Sequence, residues 1–271
     1  MDISEAFWLG VLQGIAEFLP ISSSGHLALL RAWCGIEGAG AGALFEILLH
    51  IGSAAAIIIV FRERLMAMLA VAPRLVQPAR WRPDWTASSD FRLVLLVLLG
   101  SVPAGLVGIG FGAEIESLFD DPHFIGVMLL VTGAMLLSTR FVRMGGEGVG
   151  VRHALIVGLA QAVAVMPGIS RSGSTISAGL VSGVERSRAG EYSFLLGMVA
   201  ILGANLLEIR HVGVALAEGA IQPLQLLVGV GTSFIVSWIT LRWLMRFIAR
   251  GQLWVFGPWC LAVGVAALLW P

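Results

Sequence analysis

Gln13, Glu17, Ser22, Ser23, Ser24 and His26 fall within one short run of an otherwise apolar sequence. The run reads Gln13-Gly-Ile-Ala-Glu17-Phe-Leu-Pro20-Ile-Ser22-Ser23-Ser24-Gly25-His26, and it offers a carboxylate, three hydroxyls, an imidazole and a proline break. Lipid tolerates such groups only where they face protein or a water-filled cavity. A carboxylate at that depth points to function. The competing reading is a polar linker at the bilayer surface, and a second copy of the run argues against it.

That copy is Gln161-Ala-Val-Ala-Val165-Met-Pro167-Gly168-Ile-Ser170-Arg171-Ser172-Gly173-Ser174-Thr175. The offset between the copies is 161 − 13 = 148, and it pairs identical residues at Gly10/Gly158, Gln13/Gln161, Ala16/Ala164, Ile21/Ile169, Ser22/Ser170, Ser24/Ser172 and Gly25/Gly173. This is the signature of an internal repeat. At the same offset Glu17 meets Val165, Ser23 meets Arg171 and His26 meets Ser174. The first copy brings acid and base and the second a fixed cation, so one composite site is expected rather than two.

The chemistry expected of that site is phosphoryl transfer. Gln13 and Glu17 share a helix face, and Pro20 stops that helix. Hydroxyls and backbone N–H groups at Ser22 to Ser24 then open the next arm, an arrangement that suits an anion. The Ser170-Arg171-Ser172-Gly173 run forms a similar nest, and a guanidinium can bind phosphate through two parallel hydrogen bonds. Glu17 could hold a divalent metal that neutralises phosphate charge. The bland readings are a structural hydrogen bond for Glu17, a helix cap for His26, an ion pair for Arg171, and caps or backbone partners for the serines.

Composition sets the elements that must position these groups. Of 271 residues, 58% are hydrophobic and only 13% charged, with mean hydropathy +0.91. Soluble domains carry about 25% charged residues. An all-α integral membrane protein is expected. The net charge of zero gives no reason to expect a nucleic-acid partner. The start Met1-Asp-Ile-Ser-Glu5 lacks the basic stretch of a cleaved signal peptide. Cys34 and Cys260 lie in apolar surroundings and read as core residues, without metal-ligand spacing.

Along the chain, residues 1–38 and 151–188 each read as two half-helices around a break, that is, as re-entrant hairpins too short to span. Six spans are expected between and after them: Leu44 to Phe61, Arg92 to Gly112, His123 to Phe141, Tyr192 to Leu207, Leu224 to Phe247 and Trp254 to Trp270. A basic loop over 65–91 and an acidic connector over 113–122 separate the early spans. Gly100/Gly231 and Gly126/Gly257 repeat at a second offset, 257 − 126 = 131. The chain therefore reads as one membrane domain of two repeats, about 1–143 and 151–271, each with a hairpin and three spans. Three is odd, so the second repeat must be inverted. Under the positive-inside rule the Arg62–Arg82 loop, Arg140/Arg143/Arg152, Arg186/Arg188 and Arg242/Arg246/Arg250 are cytoplasmic, and the acidic connector and both termini lie outside.

The Gln-x-x-x-Glu-Phe-Leu-Pro-x-Ser-Ser-x-Gly-His and Pro-Gly-x-Ser-Arg-Ser-Gly-x-Thr runs resemble the two signature motifs of the bacterial undecaprenyl pyrophosphate phosphatase family, which is linked to bacitracin resistance. The likeness extends to Phe45-Glu46 and to Glu191-Tyr192-Ser193-Phe194-Leu195. It implies hydrolysis of undecaprenyl diphosphate to the monophosphate, which recycles the lipid carrier of cell-wall synthesis. It also implies a plasma-membrane protein with its site open to the outside and a need for a divalent cation, Mg or Ca. By motif position, Glu17, Ser23, His26 and Arg171 are the catalytic candidates, with Glu17 also the metal ligand. Gln13, Ser22, Ser24, Ser170, Ser172 and Thr175 are the substrate-binding candidates. Gln13 stands where many members have Glu, and His50 where Gln is expected; His50 reads as a packing residue. Oligomeric state is left open, a homodimer included. Inverted repeats with paired broken helices also build transporters, so a polyprenyl-phosphate flippase is the alternative. Whether Ser23 or His26 attacks phosphorus also stays open.

Overall fold

The computed structural model describes residues 2–34, 41–143, 145–217 and 222–270. The first expected hairpin runs past Cys34 into residues outside that set, as does the turn over 143–150 at Met144. Among the described residues the secondary structure is helical, and one isolated backbone bridge joins Glu147 and Val184. The α-helices are α1 (Ile3–Ala16), α2 (Ser23–Cys34), α3 (Ala41–Val60), α4 (Arg62–Val71), α5 (Trp81–Ala87), α6 (Ser89–Ser117), α7 (Pro122–Ser138), α8 (Val151–Val163), α9 (Arg171–Val181), α10 (Arg186–Ala217), α11 (Pro223–Ala249) and α12 (Gly257–Leu269).

Local chemistry sets the helix starts. The Asp2 and Glu5 side chains each accept the other's backbone N–H, at 2.7 and 2.6 Å, closing a capping box on α1. Asp121 accepts from the N–H groups of His123 and Phe124 ahead of Pro122. Among the described residues, three helical stretches are long and apolar enough to cross a membrane: Ser89–Asp120, Pro122–Phe141 and Pro223–Ala249. This is the composition of an integral membrane protein.

Two expected boundaries move. The 65–91 segment is not a loop: α4, two short 3-10 turns and α5 fill most of it. Its Arg, Leu, Met and Ala residues favour helix, and Trp81 and Arg74 tie it down through Leu75 O and Asp84. At its far end α6 runs through Glu114 and Glu116 to Ser117, so half of the acidic connector is helical.

Without a hydrophobic force between helices in lipid, close packing must hold them together, and small residues permit it. Helix α1 packs along α11 and α8 along α6, while α3 meets α10, and α7 meets α12. On the last pair, a Cβ at Gly126 would stand 3.0 Å from Gly264 O, and one at Gly257 would stand 3.0 Å from Gly133 O. These two contacts exchange at a fixed offset, since 257 − 126 = 131 and 264 − 133 = 131. Phe194 meets Phe18 edge-on and stacks on Phe61, with ring centroids 5.6 and 6.2 Å apart.

Candidate active site

Helix α1 ends at Ala16, and a turn carries the chain through Pro20 to Ser22, whose φ of 70° lies in the left-handed region. A serine there is strained and is held by its surroundings. Its hydroxyl accepts from Gly25 N at 3.3 Å, and its carbonyl accepts from His26 N at 3.1 Å, starting α2. The second break is built alike. Gly168 takes the left-handed turn (φ 89°), and Ser170 caps α9 by accepting from Gly173 N at 3.1 Å.

The two tips interlock. A Cβ at Gly25 would lie 2.9 Å from Gly168 Cα, and one at Gly173 would lie 3.2 Å from Pro20 Cβ. These contacts also exchange at the repeat offset, since 173 − 25 = 148 and 168 − 20 = 148. Ser172 Oγ donates to Phe18 O at 3.0 Å, and the buried Cys260 thiol lies 3.6 Å from Pro20 O. The Cys34 side chain lies outside the described residues.

Glu17 is the hub. Its buried carboxylate forms an ion pair with the Arg171 guanidinium across the two tips. Its other oxygen accepts from Ser23 Oγ at 3.0 Å and Gln13 Nε2 at 3.2 Å, and lies 3.3 Å from His50 Nε2. Such charge-assisted contacts are stronger than neutral ones. Two polar atoms of this group are buried without a hydrogen-bond partner, Arg171 Nη1 and Gln13 Oε1. A guanidinium N–H in that state favours an anionic guest, because leaving it unpaired is costly.

Helix α10 frames Arg171. A Cβ on Gly197 would collide with the guanidinium, so only glycine leaves room there. Thr175 Oγ1 donates to Arg171 O at 2.8 Å and meets Ser193 Oγ at 2.5 Å. Thr132 Oγ1 accepts from Ser170 N and donates to Gly168 O, steadying the turn.

The expected site residues differ in what they touch. Ser22, Ser170, Ser172 and Thr175 are buried and bonded to protein groups at the tips, and Ser24 is half-buried beside them. His26 does not meet Glu17. Its Nδ1 lies 2.9 Å from Ser22 O, and its Nε2 accepts from Trp259 Nε1 at 2.9 Å. Those bonds define a neutral ring with the proton on Nδ1. The imidazole at Glu17 belongs instead to His50, which is therefore more than packing. Trp259, Gly197 and Thr132 carried no local signal of a role, and Ser193 only its place in the Glu191–Leu195 run. Glu191 joins Arg64 (2.5 Å) near Asp90, away from the site. The Glu46 side chain lies outside the described residues.

The chain matches the family described as bacitracin resistance protein BacA over residues 6–266. It belongs to that family. Among curated relatives, an undecaprenyl-diphosphatase of Desulfatibacillum aliphaticivorans is 41% identical over 277 residues, covering 98% of this chain and 97% of the relative. One from Korarchaeum cryptofilum is 40% identical over 99% of both chains, and one from Treponema denticola 36% identical over 98% and 96%.

Three His, Cys, Asp or Glu side chains do not converge on one point among the described residues. Glu17 brings one carboxylate and Gln13 Oε1 one buried acceptor without a partner. That pair fits a divalent cation only if the ligand's own oxygens complete its shell.

Proposed function

We propose that this protein is a membrane phosphatase that hydrolyses undecaprenyl diphosphate to undecaprenyl phosphate and inorganic phosphate. The observation that carries this reading is the Glu17–Arg171 pair joining the two broken tips, with Arg171 Nη1 buried and unpartnered beside it. The names of the relatives supply the substrate.

In the proposed reaction Arg171 Nη1 takes an oxygen of the terminal phosphoryl group while Glu17 holds Nη2. Ser23 Oγ attacks phosphorus and gives its proton to Glu17, 3.0 Å away. The bond to the lipid monophosphate breaks, leaving phosphate on Ser23. His26 lies one turn on from Ser23, on the same helix face. Its Nε2, released by Trp259, takes a proton from the water that attacks the phosphoserine, and Glu17 returns its proton to Ser23 Oγ as phosphate leaves. A divalent cation, Mg or Ca, held by Glu17 and Gln13 Oε1 would neutralise diphosphate charge.

The proposed frame is one membrane domain of two inverted repeats, with six spans and two re-entrant hairpins meeting at mid-depth. Its supports are geometric. Helices α1 and α8, with 14 and 13 residues, reach only about 20 Å, short of the ~30 Å core. The tip contacts exchange at the offset of 148. Arg62, Arg64 and Arg242 line one cavity of about 780 Å³ with Asp90. Glu114 stands 24 residues after Asp90, beyond a kink at Phe111 in α6. By the positive-inside rule the basic end is cytoplasmic, and the site opens to the outside of the plasma membrane. Purified protein in detergent should release phosphate from undecaprenyl diphosphate, and no release would contradict the reading.

A further inference from the structure

Helices α2 and α12 both pack on α7 and are tied to each other at two points. At the head end Trp259 Nε1 donates to His26 Nε2 at 2.9 Å, with the rings near parallel at 6.1 Å. At the far end Trp33 Nε1 donates to Trp270 O at 2.7 Å. Between them His26, Leu30 and Trp33 follow helical spacing on α2, and Trp259, Val263, Ala266 and Trp270 do so on α12. The floor is a buried cluster of Ala28 and Leu29 from α2, Ile125 and Leu129 from α7, and Ala267 from α12. Above it an apolar cavity of about 640 Å³ opens, lined by Trp33, Ala266, Leu269 and Trp270. Trp259 and Trp33 keep 55% and 42% of their surface exposed, so the seam is open among the described residues.

We propose that this seam is the binding track for the isoprenoid tail of the substrate. The inference rests on the polyprenyl diphosphate reading above. Continuity argues for this occupant: the head end of the seam is His26, one turn from Ser23, so a head group at Glu17 and Arg171 directs its tail between α2 and α12. The track runs about 16 Å along α12 from Trp259 to Trp270. Its lining is apolar and aromatic throughout, which suits a methyl-branched hydrocarbon with no polar atoms to satisfy. A tail seated there would also press on Trp259, the group that occupies His26 Nε2.

Two variants test the track with three substrates. Ala266→Trp fills the cavity and Trp33→Ala removes its rim. Each should raise KM for undecaprenyl diphosphate and farnesyl diphosphate, the longer by about tenfold, while leaving kcat, and the hydrolysis of dimethylallyl diphosphate, whose five-carbon tail stops short of both residues, unchanged. Unchanged KM for undecaprenyl diphosphate in both variants, or equal loss on it and on dimethylallyl diphosphate, would overturn the proposal. Wild-type protein that hydrolysed none of these substrates would instead refute the phosphatase reading. Occupancy is read without turnover by photolabelling with a diazirine-tailed polyprenyl diphosphate. Label on α2 or α12 that undecaprenyl phosphate competes away is expected. Equal labelling there by a diazirine phospholipid would mean ordinary bilayer lipid fills the seam, and would overturn the assignment.

Discussion

Arg171 and Glu17, 154 positions apart, form an ion pair that bridges the two breaks in the helical scaffold. Neither break supplies both charges. Burial of the pair demands good partners for every remaining donor. Arg171 Nη2 has the Glu17 carboxylate, and the buried Nη1 has no partner. The pair therefore presents one oriented cationic N–H to whatever anion reaches the tips.

The room that Gly197 leaves for the guanidinium makes it a sensitive probe. Gly197→Ala should displace Arg171 and lower phosphate release about tenfold or more, with the thermal midpoint in detergent within a few degrees of wild type. Unchanged turnover in a folded Gly197→Ala protein would show that the guanidinium position is unimportant.

Ser23 and His26 separate in the proposed scheme. Ser23→Ala should reduce activity about 10³-fold and form no phosphoenzyme, a loss in the range typical of key catalytic groups. His26→Ala should slow the second step and let phosphate accumulate on Ser23. Rapid acid quench followed by phosphoserine detection reads both. Substantial activity in Ser23→Ala would exclude the serine route and return attack to water or to His26.

His50 meets the same carboxylate oxygen as Ser23 and Gln13. His50→Gln keeps an N–H donor and should hold kcat within about threefold. His50→Leu removes a contact to a charged group, which is worth about 1.5–3 kcal/mol, and should lower kcat about tenfold or more. Equal activity of the two variants would make His50 a bystander.

The Gly126–Gly264 contact predicts a packing effect. Gly126→Leu must push α7 and α12 apart, a loss of about 1–3 kcal/mol visible as a lower unfolding midpoint in detergent. Gly105→Ala, where nothing lies within 4 Å of the added carbon, should be neutral or slightly stabilising. If the two shift the midpoint equally, the close helix approach is not what holds this pair.

What was legible in the sequence was what repeats or breaks a pattern. Polar groups at Gln13, Glu17 and Ser22 to His26 stand out in an apolar chain, and the offset of 148 pointed to a partner run that does touch them. The partner of His26 was not legible, because Trp259 lies 233 positions away on an apolar helix. Gly197 was hidden for a similar reason: a glycine among many says nothing until the side chain pressed against it is known. The contact of His50 with Glu17 leaves no trace in the sequence, because its helix looks like an ordinary span. Charge and proline over 65–91 mask the helix-forming residues between them.

The central claim is that the composite Glu17–Arg171 site performs phosphoryl chemistry. Its most direct test is phosphate release from undecaprenyl diphosphate by purified wild type, Arg171→Ala and Arg171→Lys side by side. Wild type should turn over, Arg171→Ala should lose about 10²–10³ in rate, and Arg171→Lys, which restores charge without the planar pair of donors, should recover only in part. Near-wild-type turnover in a folded Arg171→Ala protein would contradict it.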